Sequence, residues 1–466
     1  MAVTADPTAG DPRATAGRAT EAVFRIEAPR IIAGVARIVR DVGIAEELAQ
    51  DALVAALEQW PESGVPDNPG AWLMATARRR AIDLVRRRER YARKLAEVGR
   101  DLQSAPPPAD LADPAQADPE AIDDDLLRLV FTACHPVLPA PSRIALTLRL
   151  LGGLTTAEIA RALLTGESAV AQRIVRAKRT LAARNIPFEV PYGPDREARL
   201  GSVLEVIYLI FNEGYAATAG DDLLRPALCE DAQRLARVLA ELMPREPEVH
   251  GLAALLELQA SRTPARTAPD GTPVLLADQN RARWDRLLIR RGFTALARAE
   301  AVARDAGEAG GARRAAEAGG AGAVGGAVGG EERGARAAAP GPYTLQAAIA
   351  ACHAAAARYE DTDWPRIVAL YGLLAARAPT PVVELNRAVA VSMAEGPEAG
   401  LALVDALAEE PALRDYHLLP SVRGDLLARL GRGAEARAEF QRAAALARNE
   451  RERELLLKRV AEHGGV

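Results

Sequence analysis

The chain has 466 residues, and its 59 basic and 63 acidic residues leave a net charge of -4. With 49% hydrophobic and 26% charged residues, the composition is typical of a soluble globular protein. The length is too great for one hydrophobic core and predicts two to four domains. The three cysteines form no CxxC pair, which argues against a disulfide framework and a structural zinc site.

The sequence contains no run of 18 apolar residues, and its first 17 residues lack the basic and then apolar order of a signal peptide. We therefore expect a cytoplasmic protein with no membrane partner.

Nearly every periodic stretch has helical spacing, and aromatic residues make up only 4% of the chain. The predicted fold class is therefore all-α. In chain order we expect a disordered tail over 1–20, a first helical module over 21–97, an acidic, proline-rich linker over 98–125, a second helical module over 126–188, a helical block over 195–304, an Ala/Gly-rich flexible insert over 305–339 and helical repeats over 340–466.

The linker and the insert differ from the helical segments in composition. Residues 101–125 hold three consecutive prolines and eight acidic residues with no basic one, which predicts an extended tether. Residues 305–339 are almost wholly Ala, Gly, Glu and Arg. Because no strand precedes this stretch and no GK[ST] ends it, a flexible insert is favoured over a phosphate loop.

A predicted helix over 71–94 concentrates positive charge. Its nine basic residues are opposed by only two acidic ones, while its apolar residues recur at helical spacing and form a buried stripe. Such a helix attracts phosphate and binds nucleic acid in a salt-dependent way. The alternative is a solvated basic face.

Residues 154–184 have the pattern of a helix-turn-helix. Thr155 or Thr156 can cap the first helix, and a short turn leads to a second helix over about 167–182. The apolar residues expected to face inward from the second helix are Val170, Ile174, Val175 and Leu181. The residues left outward, near the end expected to enter a major groove, are Ser168, Ala169, Gln172, Arg173 and Arg176. Residues 142–185 contain eight basic and two acidic residues, which favours DNA binding over an ordinary helical hairpin.

The C-terminal residues 343–466 show weak self-similarity. The positions that match a tetratricopeptide repeat in the last unit are Gly424, Gly431, Ala436, Phe440 and Ala443. Two degenerate units precede it at steps of about 33 to 36 residues, near the helical-hairpin period. An irregular helical bundle is the alternative.

Two dissimilar cationic modules on one acidic tether predict a polypeptide that reads two different DNA elements. A repressor normally doubles a single DNA-reading module by dimerising.

The modules resemble a known family. The first is similar to region 2 of bacterial RNA polymerase sigma factors of the extracytoplasmic-function (ECF) group of the sigma-70 family, through GIAEELAQDALVAALEQW (43–60) and PGAWLMATARRRAIDLVRRR (69–88). The second is similar to region 4, through LPAPSRIALTLRLLGGLTTAEIARALLTGESAVAQRIVRAKRTL (138–181). The rest resembles the subgroup with a long C-terminal tetratricopeptide-like extension, through stretches such as YLIFNEGYAA (208–217) and TPVVELNRAVAV (380–391).

The resemblance implies an alternative sigma factor that binds core RNA polymerase and directs it to promoter DNA. The residues it implies for polymerase binding are Glu46, Glu47, Gln50 and Asp51. Those implied for reading the minus-ten element are Arg78, Arg79, Arg80, Asp83, Arg86 and Arg87. Those implied for the minus-thirty-five element are Thr156, Ser168, Gln172, Arg173, Arg176 and Lys178.

Two further positions follow from the same resemblance. The loop 61–70 corresponds to the one that traps a flipped base of the melted minus-ten element, and Trp72 matches a core tryptophan. The family commonly has Asn where this chain has Arg79, which leaves the detailed minus-ten preference open.

In this subgroup the extension takes the regulatory place that a membrane-bound anti-sigma factor holds elsewhere. Stacked tetratricopeptide repeats make concave surfaces for peptides or helices. We therefore expect residues 196–466 to sense a protein or peptide partner, or to dock back on the sigma modules.

Two alternatives remain at this point. A conventional helix-turn-helix regulator with a C-terminal effector domain predicts stable duplex binding without polymerase and a palindromic site. An enzyme in the extension would draw on the polar residues Asn212, Glu213, Tyr215, Asp278, Asn280, Asp285 and His353. No nucleophile–base pair, metal-ligand spacing or cofactor loop organises them, and helix caps and interhelical hydrogen bonds explain such residues. We expect no catalytic residue, no metal site and no cofactor.

Overall fold

The computed structural model describes residues 12–98, 119–163, 165–216, 224–320 and 340–463. Within these ranges the chain forms 18 α-helices and no β-strand, which confirms the all-α class. The first eight helices are α1 (Pro12–Val39), α2 (Val42–Ser63), α3 (Pro69–Val98), α4 (Pro119–Ala133), α5 (Ala140–Leu150), α6 (Thr156–Ala162), α7 (Glu167–Ala183) and α8 (Gly193–Tyr215). The other ten are α9 (Pro226–Leu242), α10 (Pro247–Ala260), α11 (Arg286–Gly320), α12 (Pro342–Ala355), α13 (Trp364–Arg377), α14 (Pro381–Ala394), α15 (Pro397–Ala406), α16 (Leu418–Arg429), α17 (Gly433–Leu446) and α18 (Glu450–Glu462).

Three predicted segment limits differ from the structure. α1 begins within the predicted tail, α4 begins inside the predicted linker, and α11 continues into the predicted insert. Proline at the first helical position favours the starts of α1 and α4, and the Ala, Arg and Glu residues that prolong α11 are strong helix formers. The remainder of those predicted segments lies outside the described residues, at 1–11, 99–118 and 321–339.

The chain forms two compact units, Met1–Val206 and Ile207–Val466, and the boundary falls inside α8. In the first unit α1 packs against α2 and α3 on one side of the linker and against α4 on the other. The two predicted modules therefore belong to one unit.

Tryptophan and aspartate fix the ends of α2. Asp41 caps its start, since its Oδ1 accepts hydrogen bonds from the backbone N–H of Gly43 at 2.7 Å and of Ile44 at 3.0 Å. Near its end the buried Trp60 meets Trp72 edge to face, with ring centroids 5.4 Å apart. The sequence predicts a core position for Trp72. In the structure Trp72 is half-buried, and Trp60 is the buried member of the pair.

In the second unit α10 is the most deeply buried helix and contacts α9, α11 and α12. Gly251 lies where α12 crosses it, because a Cβ there would be 2.3 Å from Thr344 Oγ1. Glu248 of α10 holds the start of α12 by accepting from the backbone N–H of Tyr343 at 2.8 Å and of Thr344 at 3.1 Å.

From α12 to α18 each helix packs against the next one in the chain. This nearest-neighbour packing is the arrangement expected of helical repeats. In the last predicted unit, Phe440 is buried against Gly424, where a Cβ would lie 2.9 Å from the ring. The glycine and phenylalanine of the predicted repeat therefore lie where two helices cross closely.

The segment between α10 and α11 is held by arginines around one ring. The guanidinium carbons of Arg262 and Arg281 lie 5.5 Å and 4.8 Å from the centroid of the buried Trp284. Arg281 also donates to Ala356 O at 2.8 Å and to His353 O. Burial, followed by the charges of these two arginines, lowers the pKa of His353 to about 4.

We expect His353 to make the stability of this unit depend on pH. An unfolded histidine has a pKa of about 6.5, so between pH 6.5 and 4 the unfolded chain binds more protons, and stability falls as pH falls through this window. Between pH 7 and pH 5 the loss is about 2 kcal/mol at most. Histidine-ring NMR should show one imidazole that stays neutral to about pH 4, absent in His353→Gln. If the wild type and His353→Gln lost the same stability between pH 7 and pH 5, His353 would not be the group responsible.

Candidate nucleic-acid interface

The basic helix α3 presents most of its predicted DNA-facing residues to solvent. Those that are exposed or partly exposed are Arg79, Arg80, Asp83, Arg86 and Arg87. Arg80 lies 3.6 Å from the exposed carboxylate of Asp51 on α2, so this face adjoins the predicted polymerase-binding helix.

Arg78 differs from the other residues of this set. It is only 8% exposed, and its guanidinium packs over Gly34 of α1. Burial, followed by the charge of Arg37, lowers its pKa, while Asp125 acts in the opposite direction. In this structure Arg78 contributes to the packing of α1 on α3 instead of lying on the exposed basic face, because it precedes the buried Ala81 by three residues and lies on the same side of the helix.

The helix-turn-helix is formed by α6 and α7, with α5 packed against both. Thr155 is the cap: its Oγ1 accepts from the backbone N–H of Glu158 at 3.2 Å, and the Glu158 carboxylate accepts from the N–H of Thr155 at 2.8 Å. Thr156 is the first helical residue and is half-buried.

The inward face of α7 differs from the predicted one at one position. The buried residues are Val170, Ile174, Ala177 and Leu181. The prediction for Val175 was wrong, since it is 44% exposed. Spacings of four, three and four residues place Ala177 on the buried stripe, and Val175 is turned about 100° from Ile174.

The outward face of α7 is a continuous helical stripe. Its exposed members are Ser168, Gln172, Val175, Arg176 and Arg179. Arg176 donates to Gln172 Oε1 at 3.3 Å, which links neighbouring turns of this stripe. Arg173 is half-buried beside it. Arg179 was missed by the sequence reasoning, although its spacing from Arg176 would have placed it here.

Glu46 and Lys178 meet each other instead of facing solvent. Glu46 is 5% exposed, and its carboxylate pairs with Lys178 of α7 and with Arg149 of α5, whose Nε lies 2.6 Å from Oε1. Gln50 donates to the same carboxylate at 3.1 Å. The predicted polymerase-facing acid and the predicted DNA-facing lysine thus form one buried contact between the two modules.

The rest of the predicted polymerase-binding set lies at the surface. Glu47 and Asp51 are exposed and Gln50 is partly exposed. Helical spacing explains this division, because Glu46 follows the buried Val42 by four residues and precedes the buried Ala49 by three.

A second carboxylate, which belongs to the second module, also joins the two modules. Asp125 of α4 is 1% exposed and pairs with Arg37 of α1 at 3.2 Å and with Arg128 at 2.6 Å. Sequence reasoning assigned Asp125 to the acidic tether and gave Arg37 and Arg149 no role. Nothing in their spacing identifies partners so distant along the chain.

Three of the polar residues considered for an enzyme have structural partners. Asn280 caps a 3₁₀ turn by accepting from Ala282 N at 3.0 Å, and Asp285 accepts from Leu287 N at 2.8 Å at the start of α11. Glu213 pairs with Arg225. No group of three metal-ligating side chains occurs in the ranges that the structure describes.

The three cysteines, Cys134, Cys229 and Cys352, are buried and unpaired. Burial raises the pKa of Cys134 to about 11 and that of Cys229 to about 12, so these thiols are protonated packing groups. Among the described helices, none is both long and apolar enough to cross a bilayer.

Three segments match known protein families. Residues 23–91 match Sigma-70 region 2, and residues 128–181 match Sigma-70, region 4. Residues 199–300 match a family of unknown function, DUF6596. No solved structure matches the chain.

Relatives cover both parts of the chain. An uncharacterized protein of Rhizobium meliloti (strain 1021) is 43% identical over 422 residues, which cover 90% of each chain. The ECF RNA polymerase sigma factor SigK of Mycobacterium ulcerans (strain Agy99) is 33% identical over 156 residues, or 33% of this chain and 78% of that protein. SigK of Mycobacterium bovis (strain BCG / Pasteur 1173P2) is 31% identical over 156 residues, with the same coverage.

Both sigma regions are therefore present, in the expected order, within the first compact unit. The family's partners are core RNA polymerase and promoter DNA, and its members are transcription initiation factors, not enzymes. The chain belongs to the extracytoplasmic-function group of sigma-70 family RNA polymerase sigma factors.

Proposed function

We propose that this sigma factor reads the minus-ten element with the exposed face of α3 and the minus-thirty-five element with the outward face of α7. The observation that carries the proposal is the pair of exposed basic faces on these two helices. On α3 the contacts are assigned to Arg79, Arg80, Asp83, Arg86 and Arg87, with Asp83 orienting its neighbours. On α7 they are assigned to Ser168, Gln172, Arg173, Val175, Arg176 and Arg179.

The chemistry of each side chain indicates whether it positions the protein on the DNA backbone or distinguishes one base from another. Arginine neutralises phosphate and releases counterions, which makes binding salt-dependent. Gln172 can form paired hydrogen bonds with adenine, Arg176 with guanine, and Val175 can contact a thymine methyl group. The middle of α7 therefore has the residues needed to distinguish bases.

We further propose that the contact between the modules is a closed state that opens on polymerase. The minus-ten and minus-thirty-five positions are about 25 base pairs apart, or about 85 Å of duplex at about 3.4 Å per base pair. Modules joined by the ion pairs of Glu46 lie in one compact unit, and a unit of that length has a radius of gyration of about 17 Å, too small to span that distance. Separation exposes Glu46 for the polymerase and Lys178 for DNA, and residues 99–118 supply the intervening chain.

The C-terminal extension is proposed to regulate this change in the cytoplasm. Its successive helical repeats provide a broad surface for a protein or peptide partner. Such a partner acts by favouring either the closed or the open state of the sigma modules.

The proposal as a whole is tested by run-off transcription. We expect core RNA polymerase to make a start-site-specific transcript from the DNA upstream of the chain's own gene only when the full chain is added. Tight binding of the free chain to a palindromic duplex, with no transcript, would instead support a conventional helix-turn-helix regulator.

The minus-thirty-five face is tested at Gln172 and Arg176. We expect Gln172→Ala and Arg176→Ala each to weaken promoter binding by about 1–3 kcal/mol, because each removes a base contact. Competition among duplexes that differ in the minus-thirty-five element, bound to the holoenzyme, measures this loss. Arg30→Ala is the control, since Arg30 is exposed on α1 outside both proposed faces. If a variant lost the same affinity for every duplex, the residue would contact phosphate and would not read a base.

The closed state is tested at Arg149. We expect Arg149→Met to weaken the contact between the modules by about 1–3 kcal/mol, because Glu46 is left buried with one cation fewer. Amide hydrogen exchange in the first turns of α2 should become faster, and the free chain should bind a minus-thirty-five duplex more tightly.

Arg143→Met is the matched control for this variant. Arg143 lies on the same helix α5 but pairs with Glu205 of α8 at 2.9 Å, so its loss leaves the Glu46 contact intact. Unchanged exchange in α2 of the Arg149→Met chain would overturn the closed-state proposal and leave the DNA-reading proposal standing.

A further inference from the structure

A cavity of about 220 Å³ lies within the second compact unit, among α8, α10, α12, α13 and α14. Three tyrosines line it, together with side-chain amides from four of these helices. The lining residues on which the argument rests are Tyr208, Asn212, Tyr215, Gln346, Tyr371 and Asn386.

The lining is unusual for this chain. Only 4% of residues are aromatic, yet three of the eight tyrosines meet around this one space. No lysine, arginine, histidine, aspartate or glutamate lines it. A charged ligand would therefore lose its hydration there without meeting an opposite charge.

One buried polar group of the lining has no partner in the described part of the chain. The buried Oη of Tyr215 forms no hydrogen bond there. Its ring is nevertheless fixed, because it stacks on Phe211 with centroids 5.4 Å apart and lies 3.7 Å from the guanidinium carbon of Arg266. Buried polar groups are normally paired, so this oxygen is available to a ligand.

Tyr371 of α13 adds a further hydroxyl donor to the lining. Burial raises its pKa to about 12, so its hydroxyl keeps the proton at neutral pH. The amide of Gln346 is partly used, since it accepts from Tyr208 Oη at 3.2 Å and donates to Pro342 O at 3.1 Å. These bonds hold Tyr208 and Gln346 in place at the rim.

Size and chemistry together restrict the ligand. The cavity is below the range of about 300–1,000 Å³ that drug-sized ligands occupy, so a peptide helix is too large for it. Aromatic rings stack on planar molecules, and asparagine or glutamine amides pair with a ring edge that carries both a donor and an acceptor.

We propose that this cavity is a binding site for a small, uncharged, planar heterocycle with an amide-type N–H and C=O edge. The tyrosine rings contact its faces, and the side-chain amides and free hydroxyls contact its edge. This inference concerns the extension alone and does not rest on the proposed promoter contacts.

The test uses the full chain and matched pairs of probes. Uracil and nicotinamide are neutral heterocycles with an amide group, while orotate and nicotinate carry a carboxylate on closely similar rings. Glucose serves as a neutral molecule that is not planar. Binding is measured by saturation-transfer NMR and isothermal titration calorimetry.

Asn386→Asp is the informative variant, because Asn386 is exposed and the change keeps its shape while placing a carboxylate at the cavity. We expect uracil or nicotinamide to bind saturably and to lose about tenfold in affinity in this variant, because the carboxylate lacks the N–H donor that meets the carbonyl of the ligand. Asn280→Asp is the matched control: Asn280 is also exposed, lies outside the cavity, and keeps its capping acceptor.

Tyr371→Phe gives an independent measurement, since it removes one oxygen and keeps the ring. We expect about a fivefold loss of affinity from this change. Orotate, nicotinate and glucose should not bind. The proposal is overturned if neither neutral heterocycle binds, if Asn386→Asp binds them as well as the wild type does, or if only the charged or non-planar probes bind.

Discussion

The arrangement of the sigma modules depends on one buried carboxylate. Glu46 lies at the start of α2 and pairs with Arg149 and Lys178, which come from two different helices of the second module. A buried carboxylate is stable only when it is paired, so it holds these helices in a defined position. Asp125 repeats the arrangement in the reverse direction, from the second module to Arg37 of the first. Each module thus contributes a buried carboxylate that pairs with a cation of the other.

These buried ion pairs bear directly on the proposed opening of the modules. Glu46 and Lys178, which we propose to contact polymerase and DNA, are also residues that hold the two modules together. A partner that binds Glu46 or Lys178 in the open form must compete with their mutual contact, and the two equilibria are therefore coupled. The exposed arginines of α3 and the outward stripe of α7 remain at the surface. Under the proposed mechanism, long-range attraction of these arginines to DNA precedes the opening of the modules.

The second unit is organised by different interactions. Its helices pack mainly against their neighbours in the chain, and small residues such as Gly251 and Gly424 allow close crossings. Arginines lie against Trp284 and Tyr215, where their stems and planar groups fill space between helices. Against this background, a cavity lined by tyrosines and amides and by no charged side chain differs from its surroundings. It gives the extension a chemical preference that repeat packing does not require.

The all-α class, the two basic helices, the helix-turn-helix and the family could be predicted from neighbouring residues alone, because helical periodicity and local charge are local properties of the chain. The sequence also placed Ser168, Gln172 and Arg176 on an exposed stripe. The burial of Glu46 and Arg78 and the pairing of Lys178 with Glu46 could not be predicted in this way, since each depends on a helix from another part of the chain. The same is true of the cavity in the extension, whose lining residues lie between positions 208 and 386. Periodicity identifies which face of a helix is apolar, but the surface that covers that face is set by long-range packing.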